Sequence, residues 1–129
     1  AYNAPAIVDV VTEKKVRDQV KVVVFDAQAD TIKHMREGQV DAMVVQDPYQ
    51  MGYKAVQWMK AAVTKDEAAL KAMFPDLKAE NGDILDTGLK VVVPDGSSPL
   101  QPEMFQENTQ FYTLDEFQNW LDKYHLTGS

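Results

Sequence analysis

Val20-Lys-Val-Val-Val-Phe-Asp26 and Gly38-Gln-Val-Asp-Ala-Met-Val-Val-Gln-Asp-Pro48 decide how this chain reads. Each holds a short β-branched run that stops on a side chain able to hydrogen-bond a ligand, Asp26 in the first and Gln46 in the second. Between them, Asp30 to Glu37 carries Ile32 and Met35 three residues apart, and Gly38 follows as a helix stop. The unit reads strand, helix, strand. So short a connection, between strands apolar nearly throughout, predicts adjacent parallel strands in a sheet covered by helices. Ligands of such α/β sheets bind beyond the carboxyl ends of the strands, where Asp26 and Gln46 would emerge.

Working outward, Asn3 to Lys15 predicts a helix with Asn3 as N-cap, Pro5 in its first turn, and Ile7, Val8 and Val11 on one apolar face. Pro48 opens the longest helix, with Asp47 as its cap and Met51, Ala55, Trp58 or Met59, and Ala62 recurring at helical spacing to about Lys65. Glu67 to Met73 is a second helical patch that ends before Pro75, and Asn81-Gly82 marks a turn. Leu85 to Val93 is a strand candidate cut off by Pro94, and Pro94 to Gln110 reads as a surface loop. Thr113-Leu-Asp-Glu116 is a capping box, and Leu114, Phe117, Trp120, Leu121 and Tyr124 define a strongly amphipathic last helix.

Composition narrows the function. A chain of 129 residues can bury a real core. Its formal net charge of -7 repels phosphate backbones and anionic lipid, so no nucleic acid is expected as a partner. Without cysteine there is no disulfide framework, thiolate metal site or thiol nucleophile. No apolar run approaches the ~20 residues needed to span a bilayer. His34 and His125 stand in no metal spacing and beside no nucleophile, the glycines are isolated rather than gathered into a phosphate cradle, and Asp41, Asp47, Asp83 and Asp86 form no calcium loop. The inventory for catalysis is poor, so no enzyme, cofactor or metal is expected.

Val-Val-Phe-Asp-Ala27, the turn Arg36-Glu-Gly-Gln-Val-Asp-Ala42, and Val45-Gln-Asp-Pro-Tyr-Gln-Met-Gly-Tyr-Lys-Ala-Val56 resemble the C-terminal third of a ribose-type (type I) periplasmic sugar-binding protein, the solute receptor of an ABC importer. The resemblance runs in order from Tyr2 to about Val93. It implies part of a two-lobed α/β fold, with parallel sheets flanked by helices and hinge crossings within the chain. Residues 1–46 would belong to the second lobe, 47–93 to the first, and 94–129 would return to the second. It further implies a monosaccharide ligand, an ABC permease in the membrane as partner, a periplasmic or lipid-anchored extracellular location, and a companion polypeptide supplying the remainder of the protein.

A sugar presents vicinal hydroxyls and apolar C–H faces, so its site needs planar carboxylates and carboxamides together with aromatic rings. The resemblance assigns sugar contacts to Asn3 at a helix start, Asp26 at a strand end and Gln46 at the hinge. Each has a plainer reading beside that one: Asn3 as a helix cap, Asp26 as a cap or Asx-turn residue, Gln46 as a hinge hydrogen bonder. Relatives of this kind often carry an acidic residue after the Asn, where this chain has Ala4. Phe25 is a sugar-stacking candidate, but strand alternation points it away from Asp26, so the pattern favours core packing. Tyr2, Tyr49 and Trp58 are weaker stacking candidates. Two other classes compete. The effector core of a LacI-type regulator shares the fold, and a phospho-acceptor domain would use the strand-end Asp26 but lacks a strand-end lysine and further carboxylates.

Overall fold

The computed structural model describes residues 3–80 and 82–128, in two compact units, one of residues 1–46 with 88–129 and one of residues 47–87.

The first unit is a four-stranded sheet in the order β1-β2-β3-β4. β1 (Val23–Phe25) runs parallel to β2 (Ala42–Val45), in the register Val23 to Ala42, Val24 to Met43 and Phe25 to Val44. The parallel pair expected from the strand-helix-strand reading is present, joined by α2 (Ala29–Arg36). β3 (Leu89–Val93) pairs antiparallel with β2 and parallel with β4 (Thr109–Thr113). α1 (Asn3–Lys14) precedes the sheet and α5 (Leu114–Lys123) ends the unit.

Residues paired across a sheet share a face, so Val24, Met43, Val92 and Tyr112 point the same way. That face is covered by helices. Ala4 and Val8 of α1, Ile32 and Met35 of α2, and Leu114, Phe117 and Leu121 of α5 join Val24, Met43, Val45 and Val92 in one buried core. At roughly 25 cal/mol per Å², burial of such side chains is the main force holding the unit together. The helix patterns place most of these residues correctly, except that α1 turns Ala4 and Val8 inward and leaves Ile7 exposed.

Two expectations change here. Leu85 to Val93 was expected to be one strand lying with residues 47–93, but only Leu89–Val93 is extended, and it is hydrogen-bonded between β2 and β4. The compact units therefore divide after Thr87, because this β-branched run finds its ladder partners on the open edge of β2. The stretch 94–110, expected as loop throughout, holds a 3-10 turn at Pro102–Met104 and the start of β4.

Helix ends are closed locally. Thr113 and Glu116 form the expected capping box, with Glu116 Oε2 accepting from the Thr113 N–H at 2.8 Å. At the other end of α5, His125 adopts φ 56, its N–H donates to Asp122 O, and the Leu126 N–H donates to Leu121 O at 2.9 Å. That is a Schellman closure with a non-glycine residue at the left-handed position. α1 closes in the same way on Lys15, and α2 on Gly38.

The second unit is a helical hairpin of α3 (Pro48–Thr64) and α4 (Glu67–Met73). Asp47 caps α3 as expected, accepting from the Gln50 N–H at 2.9 Å, and Pro48 sits in the first turn, where its missing N–H costs nothing. Asp66 caps α4 through the Ala69 N–H at 3.0 Å. Lys65, at φ 54, makes the left-handed closure of α3. Trp58 and Ala62 line a hollow of about 500 Å³ with Leu70, Phe74 and Leu77.

Candidate functional site

β1 and β2 both point their carboxyl ends the same way, and the first residue beyond each is one of the expected contacts. Asp26 follows Phe25, and its N–H donates to Val44 O at 2.8 Å, which carries the ladder one step past the strand. Gln46 follows Val45 and is exposed. Since Phe25 pairs with Val44, Asp26 lies opposite Val45 and Gln46 one residue further along, so the two residues follow adjacent strands at one end of the sheet.

Asp26 is half-buried and holds φ 64. Among non-glycine residues, aspartate and asparagine accept this left-handed region best, yet it still costs energy. The strand pattern gave no sign of it. A conformation of this kind interrupts the pleat, so Asp26 does not continue the alternation of β1.

Asn3 opens α1 and is exposed. α1 leads through the 3-10 turn Arg17–Gln19 to the amino end of β1, and its last turn lines a hollow with Glu37, Gly38 and Gln39 at the amino-end side of β2. Its twelve residues span ~18 Å at ~1.5 Å each, with Ala4 of its first turn buried in the core. Asp26 and Gln46 thus follow the carboxyl ends of β1 and β2, and Asn3 opens α1.

Phe25 departs from the sequence reading. It is 59% exposed, with Val23 at 56%, while Val24 between them is buried. Core packing, which the pattern favoured, is not its position. The alternation was read correctly, but helices cover only the Val24 face of β1. Tyr2 lies outside the described residues. Tyr49 and Trp58 are on α3, where Tyr49 stacks on Tyr53 with ring centroids 6.0 Å apart.

The opposite end of the sheet is built for cohesion. Asp41 takes the Val22 N–H at 2.7 Å, Arg17 Nη2 at 3.0 Å and Lys21 Nζ at 3.3 Å, while Arg17 also donates to Gly38 O and Val20 O. Partial burial disfavours the Asp41 carboxylate, but Arg17, the Val22 N–H and Lys21 outweigh it and hold the group below its ordinary value. A hollow of about 310 Å³ on this side is lined by Val23, Ala42, Pro94, Pro99 and Leu100, with Asp41 at its rim. No Asp26 or Gln46 side chain lines it.

The sequence reading also passed over Lys90. It is 4% exposed on β3, in register with Val45, and its Nζ lies 4.8 Å from the centroid of the Trp120 ring. Trp120 stacks on Phe117 and tilts against Tyr124, so an aromatic row runs from the buried Phe117 to the exposed Tyr124 at the end of α5. Burial first, then Tyr124 and Glu116, push the Tyr112 hydroxyl above its usual value. A lysine inside a Val-rich strand was the available signal.

Among the described residues no group of three or more His, Asp or Glu side chains is placed to hold a metal ion. His34 Nδ1 lies 2.6 Å from Gln39 Oε1, beside Glu37. No described helix is long and apolar enough to cross a membrane.

In α/β sheets of this kind ligands bind beyond the carboxyl ends of the parallel strands, the position that Asp26 and Gln46 occupy. The profile of the periplasmic binding protein domain matches residues 1–67, just over half of the 129-residue chain, and the chain belongs to that family. Membership carries a solute-binding role. No curated protein and no solved structure matches the chain.

Proposed function

We propose that the chain is the second-lobe and hinge portion of a monosaccharide receptor that serves an ABC importer from the periplasm or from a lipid anchor outside the cell. The observation that supports the reading is that Asp26 and Gln46 are the first residues beyond the carboxyl ends of the adjacent parallel strands β1 and β2, in a chain of the periplasmic binding protein family. The Asp26 carboxylate offers two acceptor oxygens that can bridge vicinal hydroxyls, and the Gln46 and Asn3 carboxamides each offer a donor and an acceptor. Phe25, exposed one residue before Asp26, is an aromatic surface for a sugar C–H face. Residues 1–46 and 88–129 act as one lobe and 47–87 as part of the other. The chain passes between them after Gln46 and again after Thr87, and such double crossings let lobes close over a ligand. A permease then reads the closed form.

The test is isothermal calorimetry of the intact protein against a panel of pentoses and hexoses. Asp26→Asn keeps the left-handed backbone within easy reach, whereas Asp26→Ala adds strain there, so the asparagine variant isolates the charge. Hydrogen bonds to a charged group contribute about 1.5–3 kcal/mol each, so Asp26→Asn is expected to weaken binding by about tenfold to a hundredfold or more with an unchanged circular dichroism spectrum. Wild-type affinity in both variants would remove Asp26 from the site.

A further inference from the structure

The left-handed conformation of Asp26 is not stable by default and persists only where the surroundings over-determine it. Three constraints act on the turn. The Asp26 N–H is held by Val44 O at 2.8 Å. Ala27, the next residue, is fully buried in the core. The third is remote in sequence. The Schellman closure of α5 reverses the chain at His125 and Leu126 and lays Gly128 against the turn. A Cβ on Gly128 would stand 2.6 Å from the Ala27 carbonyl oxygen and 3.4 Å from the Gln28 Cα. No real Cβ tolerates the first distance, and the atom it meets is backbone, which cannot rotate aside. Gly96, by contrast, has open space around its missing Cβ.

We infer that Gly128 is a positioning residue: its bare backbone braces the Asp26–Gln28 turn, fixes the direction of the Asp26 carboxylate, and so sets ligand affinity from the far end of the chain. This rests on the reading of Asp26 as a ligand contact. The brace is anchored through α5, whose Leu114, Phe117 and Leu121 are buried in the same core as Ala27. The tail and the turn are therefore held in one frame. Any side chain at position 128 must displace either the Ala27 carbonyl or the tail, and both loosen the turn.

The experiment is amide NMR of the ¹⁵N-labelled full chain with calorimetry against D-ribose and D-glucose, for wild type, Gly128→Ala, Gly96→Ala and a variant lacking Gly128 and Ser129. Gly128→Ala and the shortened chain are expected to move the amide resonances of Asp26, Ala27 and Gln28, to speed hydrogen exchange at Asp26, and to weaken binding of whichever sugar binds by about tenfold. Gly96→Ala should change none of these. Resonances and exchange that stay at wild-type values in both variants overturn the brace, whatever happens to the melting temperature. Resonances that move while sugar affinity holds overturn the positioning role. If wild type binds neither sugar and the resonances still move, the brace stands, D-ribose and D-glucose are removed as ligands, and the positioning role falls for both.

Discussion

The two units reach secondary structure by the same local rules and differ in what lies behind it. In the first, α1, α2 and α5 each turn an apolar face onto the sheet, and Met35, Met43, Phe117 and Leu121 are almost wholly buried. In the second, Ala61 is the one buried apolar residue among those described, while α3 exposes Tyr49, Met51, Tyr53, Val56, Trp58, Met59 and Val63. Yet α3 is the longest helix, with an Asp47 cap, a first-turn proline and a left-handed closure at Lys65. Local signals are thus enough to define a helix, and burial is a separate matter. Helix propensity and capping contribute tenths of a kcal/mol to about 1 kcal/mol each, whereas a buried aromatic contributes several.

The largest expected effect tests that contrast directly. Phe117→Ala should cost about 3–5 kcal/mol in urea unfolding, because it opens a cavity in a closed core. Trp58→Ala, at a side chain 46% exposed, should cost under about 1 kcal/mol. Equal losses would mean that α3 is as deeply packed as α5. Next comes Thr31, whose Oγ1 is buried without a hydrogen-bond partner in α2. Thr31→Val should raise the unfolding free energy of the first unit by about 1 kcal/mol, and a drop instead would show that the hydroxyl is satisfied.

Smaller still are the left-handed helix ends. His125→Gly and Lys65→Gly should each stabilise by about 0.5–1 kcal/mol, since glycine takes positive φ without the Cβ penalty. If the units unfold separately, calorimetry will show the first change only in the transition of the first unit and the second only in that of the other. The smallest effect is a pH limb. The Asp41 carboxyl sits below the ordinary aspartate value of 3.8 when folded, so its contribution is complete above about that pH and fades as pH falls through the folded value. Asp41→Asn should therefore be less stable at neutral pH and converge with wild type in acid. The Thr113 backbone N–H and hydroxyl lower Glu116 in the same direction, so the comparison must be between variant and wild type rather than read from wild type alone.

What the sequence displayed was what local chemistry encodes. The parallel β1–β2 pair, α2, the Asp47 cap, the Thr113 box and the inward face of α5 all follow from spacing and capping within a few residues. Strand β4 was hidden because Thr109 to Thr113 is short and follows a loop rich in proline, glycine and serine. Phe25 was misread for a different reason: alternation assigns a side chain to a face, and which faces are covered depends on helices far away in the chain. Of the candidate site, the positions of Asp26 and Gln46 at strand ends were visible. The backbone twist at Asp26 and the return of Gly128 onto its turn were not: strand alternation carries no information on φ, and the second joins segments about a hundred residues apart.

The antiparallel pairing of β2 with β3 has one more consequence. With Val45 opposite Lys90, the chain leaves the sheet after Val45 and rejoins it at Leu89 on the neighbouring inner strand, at the same end of the sheet. Topologically, residues 47–87 are the loop of a β-hairpin that has swollen into a structure of its own. A hairpin needs as few as two residues to turn, so the sheet does not require the helices for its connectivity. The connection between β2 and β3 can therefore carry a segment of any length, because the ladder that sets their register is made by Met43, Val44 and Val45 with Lys90, Val91 and Val92 alone.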